Sequence, residues 1–154
     1  MSYSRMEYIN SIPQSKIKRF TLGDTTNKYD CIVSLVATSH VEISSKALEA
    51  ARVTANRVLT TELGENCFLL KVVPYPHEIS REHKFMGFAG ADRLSRGMKL
   101  AFGRPKGRAA RVNAGQEILT ISVDERDVKT AKKALKRASK KVPVKYNIEV
   151  EIAG

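Results

Sequence analysis

Residues 90–112 read GADRLSRGMKLAFGRPKGRAARV and hold seven cations, one acid and four glycines. The cations stand at 93, 96, 99, 104, 106, 108 and 111, and five of them are arginine. Arginine pairs bidentately with phosphate oxygens, so this composition suits a polyanion. A second basic stretch, residues 129–141, holds Lys129, Lys132, Lys133, Lys136, Arg137, Lys140 and Lys141 with no acid. Outside these two stretches 13 cations face 15 acids, so the formal charge of +11 is concentrated in two places. Charge kept only for solubility would be spread evenly, whereas concentration marks a binding face for nucleic acid, an anionic surface or an acidic protein.

Catalytic patterns are absent where they would have to lie. HEISREH (77–83) places its histidines six apart after Pro74 and Pro76, whereas a zincin needs them four apart on a helix. GRPKGRAAR lacks the GxxxxGK[ST] of a phosphate loop, and GFAGADRLSRG does not fit the dinucleotide fingerprint. No nucleophile elbow is present. The sequence therefore predicts no enzyme, no cofactor, no metal and no small-molecule substrate. Cys31 and Cys67 lie in apolar runs and read as small buried hydrophobes in a reducing compartment. No apolar run approaches the roughly 18 residues that span a bilayer, so no membrane partner is expected. The start of the chain has no signal-peptide core, which points to the cytoplasm.

These cations must be carried by a fold, and the apolar pattern outlines it. Residues 1–28 read as a partly extended N-terminal segment with a turn at Gly23-Asp24. Residues 29–37, YDCIVSLVA, are rich in β-branched residues and predict a buried strand, followed by a short extended piece from His40 and Val41. Ser44 or Ser45 can cap a helix whose stripe is Leu48, Ala51, Ala55, Val58, Leu59 and Leu63, ended by Gly64. Strands are expected at 66–73 and 116–123, with 77–85 as a further extended piece. Asp124 is expected to cap a second helix with the stripe Val128, Ala131, Leu135, Ala138 and Val142, stopped by Pro143. In 144–152 the apolar residues Val144, Tyr146, Ile148, Val150 and Ile152 alternate with polar ones, which predicts one buried and one wet face. The order strand–helix–strand, insertion, strand–helix–strand predicts an α+β two-layer sandwich. Its mixed or antiparallel sheet carries both helices on one side. Residues 1–154 read as a single domain, with 86–107 as a long basic loop.

An irregular insertion of that length inside a compact domain is usually either functional or disordered. Its glycines and proline deny it a helix, and Gly97, Gly103 and Gly107 permit close backbone approach to a ligand. Phe102 alone is placed to stack on a base, so backbone and shape recognition of folded RNA is favoured over sequence-reading of single strands.

ALEAARVTANRV (47–58), FAGADRL (88–94), GMKLAFGRPKGRAARV (97–112) and AGQEILTI (114–121) together resemble a universal large-subunit ribosomal protein family. Its bacterial members are called large-subunit protein sixteen and its archaeal and eukaryotic members large-subunit protein ten. RMEYI (5–9) and Ile12–Phe20 extend the similarity, and the archaeal branch is the most alike. The resemblance implies a hammerhead-like α+β sandwich that is a structural constituent of the ribosome. It implies binding to large-subunit rRNA near the A- and P-site tRNAs, beside neighbouring large-subunit proteins. By match to the motif, Arg93, Arg96, Lys99, Arg104, Lys106, Arg108 and Arg111 are the expected RNA contacts. Lys132, Lys136 and Lys140 join them from the charge of the second helix. Archaeal and eukaryotic relatives usually begin with an additional basic arm, and this sequence begins just after its position. The alternative is a non-ribosomal nucleic-acid-binding paralogue. Replacing Arg104, Lys106, Arg108 and Arg111 by alanine is expected to leave folding nearly unchanged.

Overall fold

A computed structural model of the protein describes residues 3–84, Met98 and 101–152. Cys31–Ala37, rich in β-branched residues, forms β2, and Glu117–Val123 forms β7 beside it. Thr21–Gly23 (β1), Leu69–Val72 (β4) and Tyr146–Ile152 (β8) complete an antiparallel sheet in the order β1-β4-β7-β2-β8. Register places Val33 opposite Ile121, and Leu35 opposite Leu119, so their buried side chains share one face.

The helix α1 spans Ser45–Glu62. Ser44 caps it, its side chain accepting a bond from the Ala47 amide at 3.3 Å, and Gly64 follows it with φ +95°. Leu48, Ala51, Ala55, Val58 and Leu59 are buried, as their spacing predicts. The helix α2 spans Val128–Ser139 and packs against α1 and the five-stranded sheet. Asp124 does not cap it. Instead Asp124 starts a 3-10 turn at Glu125–Asp127, and its carboxylate accepts from Arg126 at 3.2 Å. Residues 140–142 leave the helix in a tighter turn, with the Val142 amide donating to the Ser139 carbonyl at 3.2 Å.

Two expectations change at the sheet edges. β8 pairs only with β2, and the apolar face expected to be buried is half-covered at Tyr146 and Ile148. Val150 and Ile152 are exposed, because an edge strand runs past the layer that covers the sheet. Cys67 is exposed as well, while Cys31 is buried.

The larger difference is a second sheet. Val41–Ser44 (β3), Glu78–Glu82 (β5) and Arg104–Val112 (β6) form an antiparallel sheet in the order β3-β6-β5. Residues 104–107, expected to be loop, begin its central strand. The glycine and proline that argue against regular structure are accommodated in the pairing. Ser80 pairs with Gly107 and Arg81 with Pro105, so Lys106 is the extra residue of a bulge. β3 pairs only with 109–112, which leaves Pro105 on an open edge where its missing N–H costs no ladder bond. Ile43, Ala110 and Val112 of this sheet enter the same hydrophobic cluster as Leu48, Phe68 and Leu135. One core therefore holds both sheets and both helices.

Candidate nucleic-acid interface

The strand β6 presents its four cations in two different ways. Arg104 and Lys106 are exposed. Lys106 Nζ lies 2.7 Å from Glu82 Oε1 across the bulge, and this bond holds the Glu82 carboxyl below the usual carboxylate range. Arg108 is half-buried. Its Nε donates to the Pro13 carbonyl at 2.7 Å and its guanidinium to the Tyr75 hydroxyl at 3.4 Å. Arg111 Nε lies 3.3 Å from Glu78 Oε1, and its guanidinium sits 5.3 Å from the Tyr3 ring centroid. Arg108 and Arg111 thus tie the N-terminal segment to the sheet. Arg93, Arg96, Gly97 and Lys99 lie outside the described residues.

Ser4 completes the tie. Its hydroxyl donates to the Ile79 carbonyl at 2.7 Å and accepts from the Ile79 amide at 3.1 Å, while its own amide donates to Glu78 Oε2 at 3.0 Å. The N-terminal segment thereby covers the free edge of β5 at Ile79, satisfying a backbone donor and acceptor that no strand pairs. This docking brings Tyr3, Arg5 and Tyr8 beside Arg81 and Phe102. The charge pattern does not show these partners. The signal available was a pair of tyrosines, Tyr3 and Tyr8, in an otherwise polar stretch.

The glycines also divide. A Cβ at Gly103 would lie 2.8 Å from the Glu82 carbonyl carbon, so its close approach is to β5 itself. At Gly107 the nearest atom to such a Cβ is the Ser80 hydroxyl at 3.8 Å, which is ordinary contact.

On α2 the residues Ala131, Ala134, Leu135 and Ala138 face the core, and Lys129, Lys132, Lys133, Lys136, Arg137, Lys140 and Lys141 are exposed. Lys132, Lys136 and Lys140 recur every four residues along one side of the helix and its C-terminal cap. The acid that the local sequence lacks comes from α1. Lys133 pairs with Glu62 and holds that carboxyl below its usual range.

The HEISREH histidines do not form a metal site. His77 packs against the Tyr75 ring, and Glu78 is held by Ser4 and Arg111. Among the described residues no three His, Cys, Asp or Glu side chains could hold a metal, and no helix is long and apolar enough to cross a membrane.

Comparison with known proteins gives this basic scaffold relatives over nearly its whole length. Residues 1–149 match the family described as Ribosomal protein L16p/L10e. The chain is 47% identical over 151 residues to the large ribosomal subunit protein uL16 of Thermofilum pendens, covering 98% of this chain and 90% of that one. The uL16 protein of Saccharolobus solfataricus is 44% identical over 151 residues, covering 97% and 85%. That of Archaeoglobus fulgidus is 43% identical over 149 residues, covering 97% and 86%. With its cations raised on a strand and a helix of one core, and with this similarity running nearly end to end, the chain belongs to the ribosomal protein L16p/L10e family.

Proposed function

We propose that the chain binds large-subunit rRNA near the A- and P-site tRNAs and helps to shape the path the tRNAs follow. Its place is the ribosome of the cytoplasm, where it is a structural component rather than an enzyme. The observation that carries the RNA assignment is the basic strand. β6 carries Arg104 and Lys106 exposed on backbone fixed by cross-strand pairing to β5, and Ala110 and Val112 farther along the strand anchor it in the core. Cations on a fixed backbone lose little entropy when phosphate binds. Each phosphate neutralised releases counterions, so affinity falls steeply with salt. Lys132, Lys136 and Lys140 supply a second set from α2, and Arg93, Arg96 and Lys99 extend the basic segment. Neighbouring large-subunit proteins are the remaining partners.

The test is sedimentation of a cell lysate on a sucrose gradient, before and after a high-salt wash, followed by ultraviolet crosslinking of the large-subunit fraction. Stoichiometric presence in the large subunit, with crosslinks from β6 to rRNA beside the tRNA sites, is the expected result. A mostly free protein would favour a non-ribosomal nucleic-acid-binding role, and crosslinks confined to a distant rRNA region would overturn the tRNA-proximal placement.

A further inference from the structure

Four aromatic side chains stand exposed among the described residues: Tyr3, Tyr8, Tyr75 and Phe102. Tyr75 is stacked on Phe20 with ring centroids 5.3 Å apart. The other three converge on a single open cleft of about 300 Å³, lined by Tyr3, Arg5, Tyr8, Arg81 and Phe102. Three different segments build it. Ser4, bonded to Ile79, sets Tyr3 and Arg5 against β5. The 3-10 turn Met6–Tyr8 sets Tyr8. Arg81 comes from β5, and its guanidinium carbon lies 3.9 Å from the centroid of Phe102, which enters just before β6.

The chemistry of this lining is narrow. Tyr3, Tyr8 and Phe102 are 73%, 60% and 65% exposed, an uneconomical state for large rings unless something covers them. The lining includes two arginines and no acid. A ligand that covers aromatic faces and answers positive charge is planar at one end and anionic at the other. The cleft lies at the small end of ligand sites, sized for one such unit. Paired bases are stacked within their own helix and cannot reach the rings, whereas an unpaired base can be splayed out onto aromatic and guanidinium planes.

We propose that this cleft clamps one unpaired RNA nucleotide, with its base stacked among Tyr3, Tyr8 and Phe102 and its phosphate held by Arg5 and Arg81. The proposal rests on the RNA-binding function above and adds a base-binding subsite to it. It also revises the expectation that Phe102 acts alone.

The full chain is titrated with a fluorescent single-stranded oligoribonucleotide of five residues, and with an abasic oligomer of the same length and charge. Intact oligomer should bind more tightly than abasic. Phe102→Leu and Tyr8→Leu should each weaken the intact oligomer roughly 5- to 100-fold, the loss expected for one base–aromatic stack. Neither should change abasic binding or the salt slope. Arg104→Ala should lower both affinities together. Both rings are exposed, so equal thermal midpoints confirm that the variants stay folded. Equal affinity for the two oligomers, with a steep salt slope, would overturn the subsite while leaving RNA binding by the basic face intact. Failure to bind either oligomer would also overturn the subsite, and crosslinking in assembled subunits then decides the RNA assignment separately.

Discussion

Arg104 and Arg108 are four residues apart in one basic strand, yet their replacement by alanine should have different consequences for folding. Arg104 is exposed, so its loss should stay within about 0.5 kcal/mol. Arg108 spans 95 positions in sequence to donate to the Pro13 carbonyl at 2.7 Å, and it also reaches the Tyr75 hydroxyl. Hydrogen bonds to charged groups contribute about 1.5–3 kcal/mol. Arg108 is only half-buried and the Pro13 carbonyl can be hydrated once released, so about 1–2 kcal/mol is the expected cost of Arg108→Ala. In a chain of this length that lowers the melting midpoint by about 2–8 °C. The measurement is urea and thermal unfolding of both variants by circular dichroism, with limited proteolysis between residues 10 and 16. Arg108→Ala should unfold earlier and be cut faster there. If it melts with the parent protein, or if Arg104→Ala is destabilised equally, then Arg108 is not a tie and the distinction drawn between the two arginines is wrong.

Gly23→Ala should cost about 2–4 kcal/mol in urea unfolding, because φ is +97° and the new Cβ would lie 1.9 Å from the Phe68 carbonyl oxygen; Gly107→Ala, with only the Ser80 hydroxyl nearby, should be near neutral. Replacing Lys132, Lys136 and Lys140 together by alanine should leave the fold intact and flatten the salt dependence of rRNA binding by about 0.7–0.9 for each phosphate that is no longer neutralised, and an unchanged slope would remove α2 from the interface. Glu82→Gln should free Lys106 and strengthen RNA binding at low salt, whereas unchanged affinity would show that Lys106 does not meet phosphate. Glu49, whose carboxyl is held below its ordinary value of 4.5 chiefly by its bond to Arg52, contributes stability that is present above that value and lost as pH falls through the depressed one; Glu49→Gln should therefore flatten the acid limb of the stability curve, and an unaltered limb would discount the pair.

Local pattern made part of this fold legible. Ser44, the Leu48-to-Leu59 stripe and Gly64 specify α1 from cap to end, because every signal lies within one or two turns of its effect. β2 and β7 follow from short apolar runs rich in β-branched residues. β6 was not legible, because Gly103, Pro105 and Gly107 lower strand propensity locally while distant pairing restores it. β5 takes one side, and β3 meets only the half that lacks proline. The site divides in the same way. Composition showed where charge concentrates, but not that Arg108 would find Pro13, or Ser4 the backbone of Ile79. The aromatic cleft depends wholly on that second tie, so Phe102 looked solitary in the sequence. The burial of β8 was overestimated because alternation marks which side chains share a face and says nothing about how far the neighbouring layer extends over it.

The formal charge overstates the surface offered to a polyanion, and the structure shows which cations are withdrawn from it. Arg108 and Arg111 are half-buried and engaged with the N-terminal segment, so turning either toward phosphate would break a tie between that segment and the sheet. Lys106 and Lys133 are also paired, but their pairs lie at the surface. Surface ion pairs contribute little and are screened by salt, so these lysines can exchange a carboxylate for a phosphate at small cost. On the proposed function, the cations free to meet phosphate among the described residues are Arg104 and Lys106 on β6 with the lysine row of α2. Arg108 and Arg111 act one step behind them, holding the N-terminal segment to the sheet at Pro13 and Tyr3. One basic strand thereby presents exposed cations at one end and, with the other, ties the N-terminal segment to the sheet.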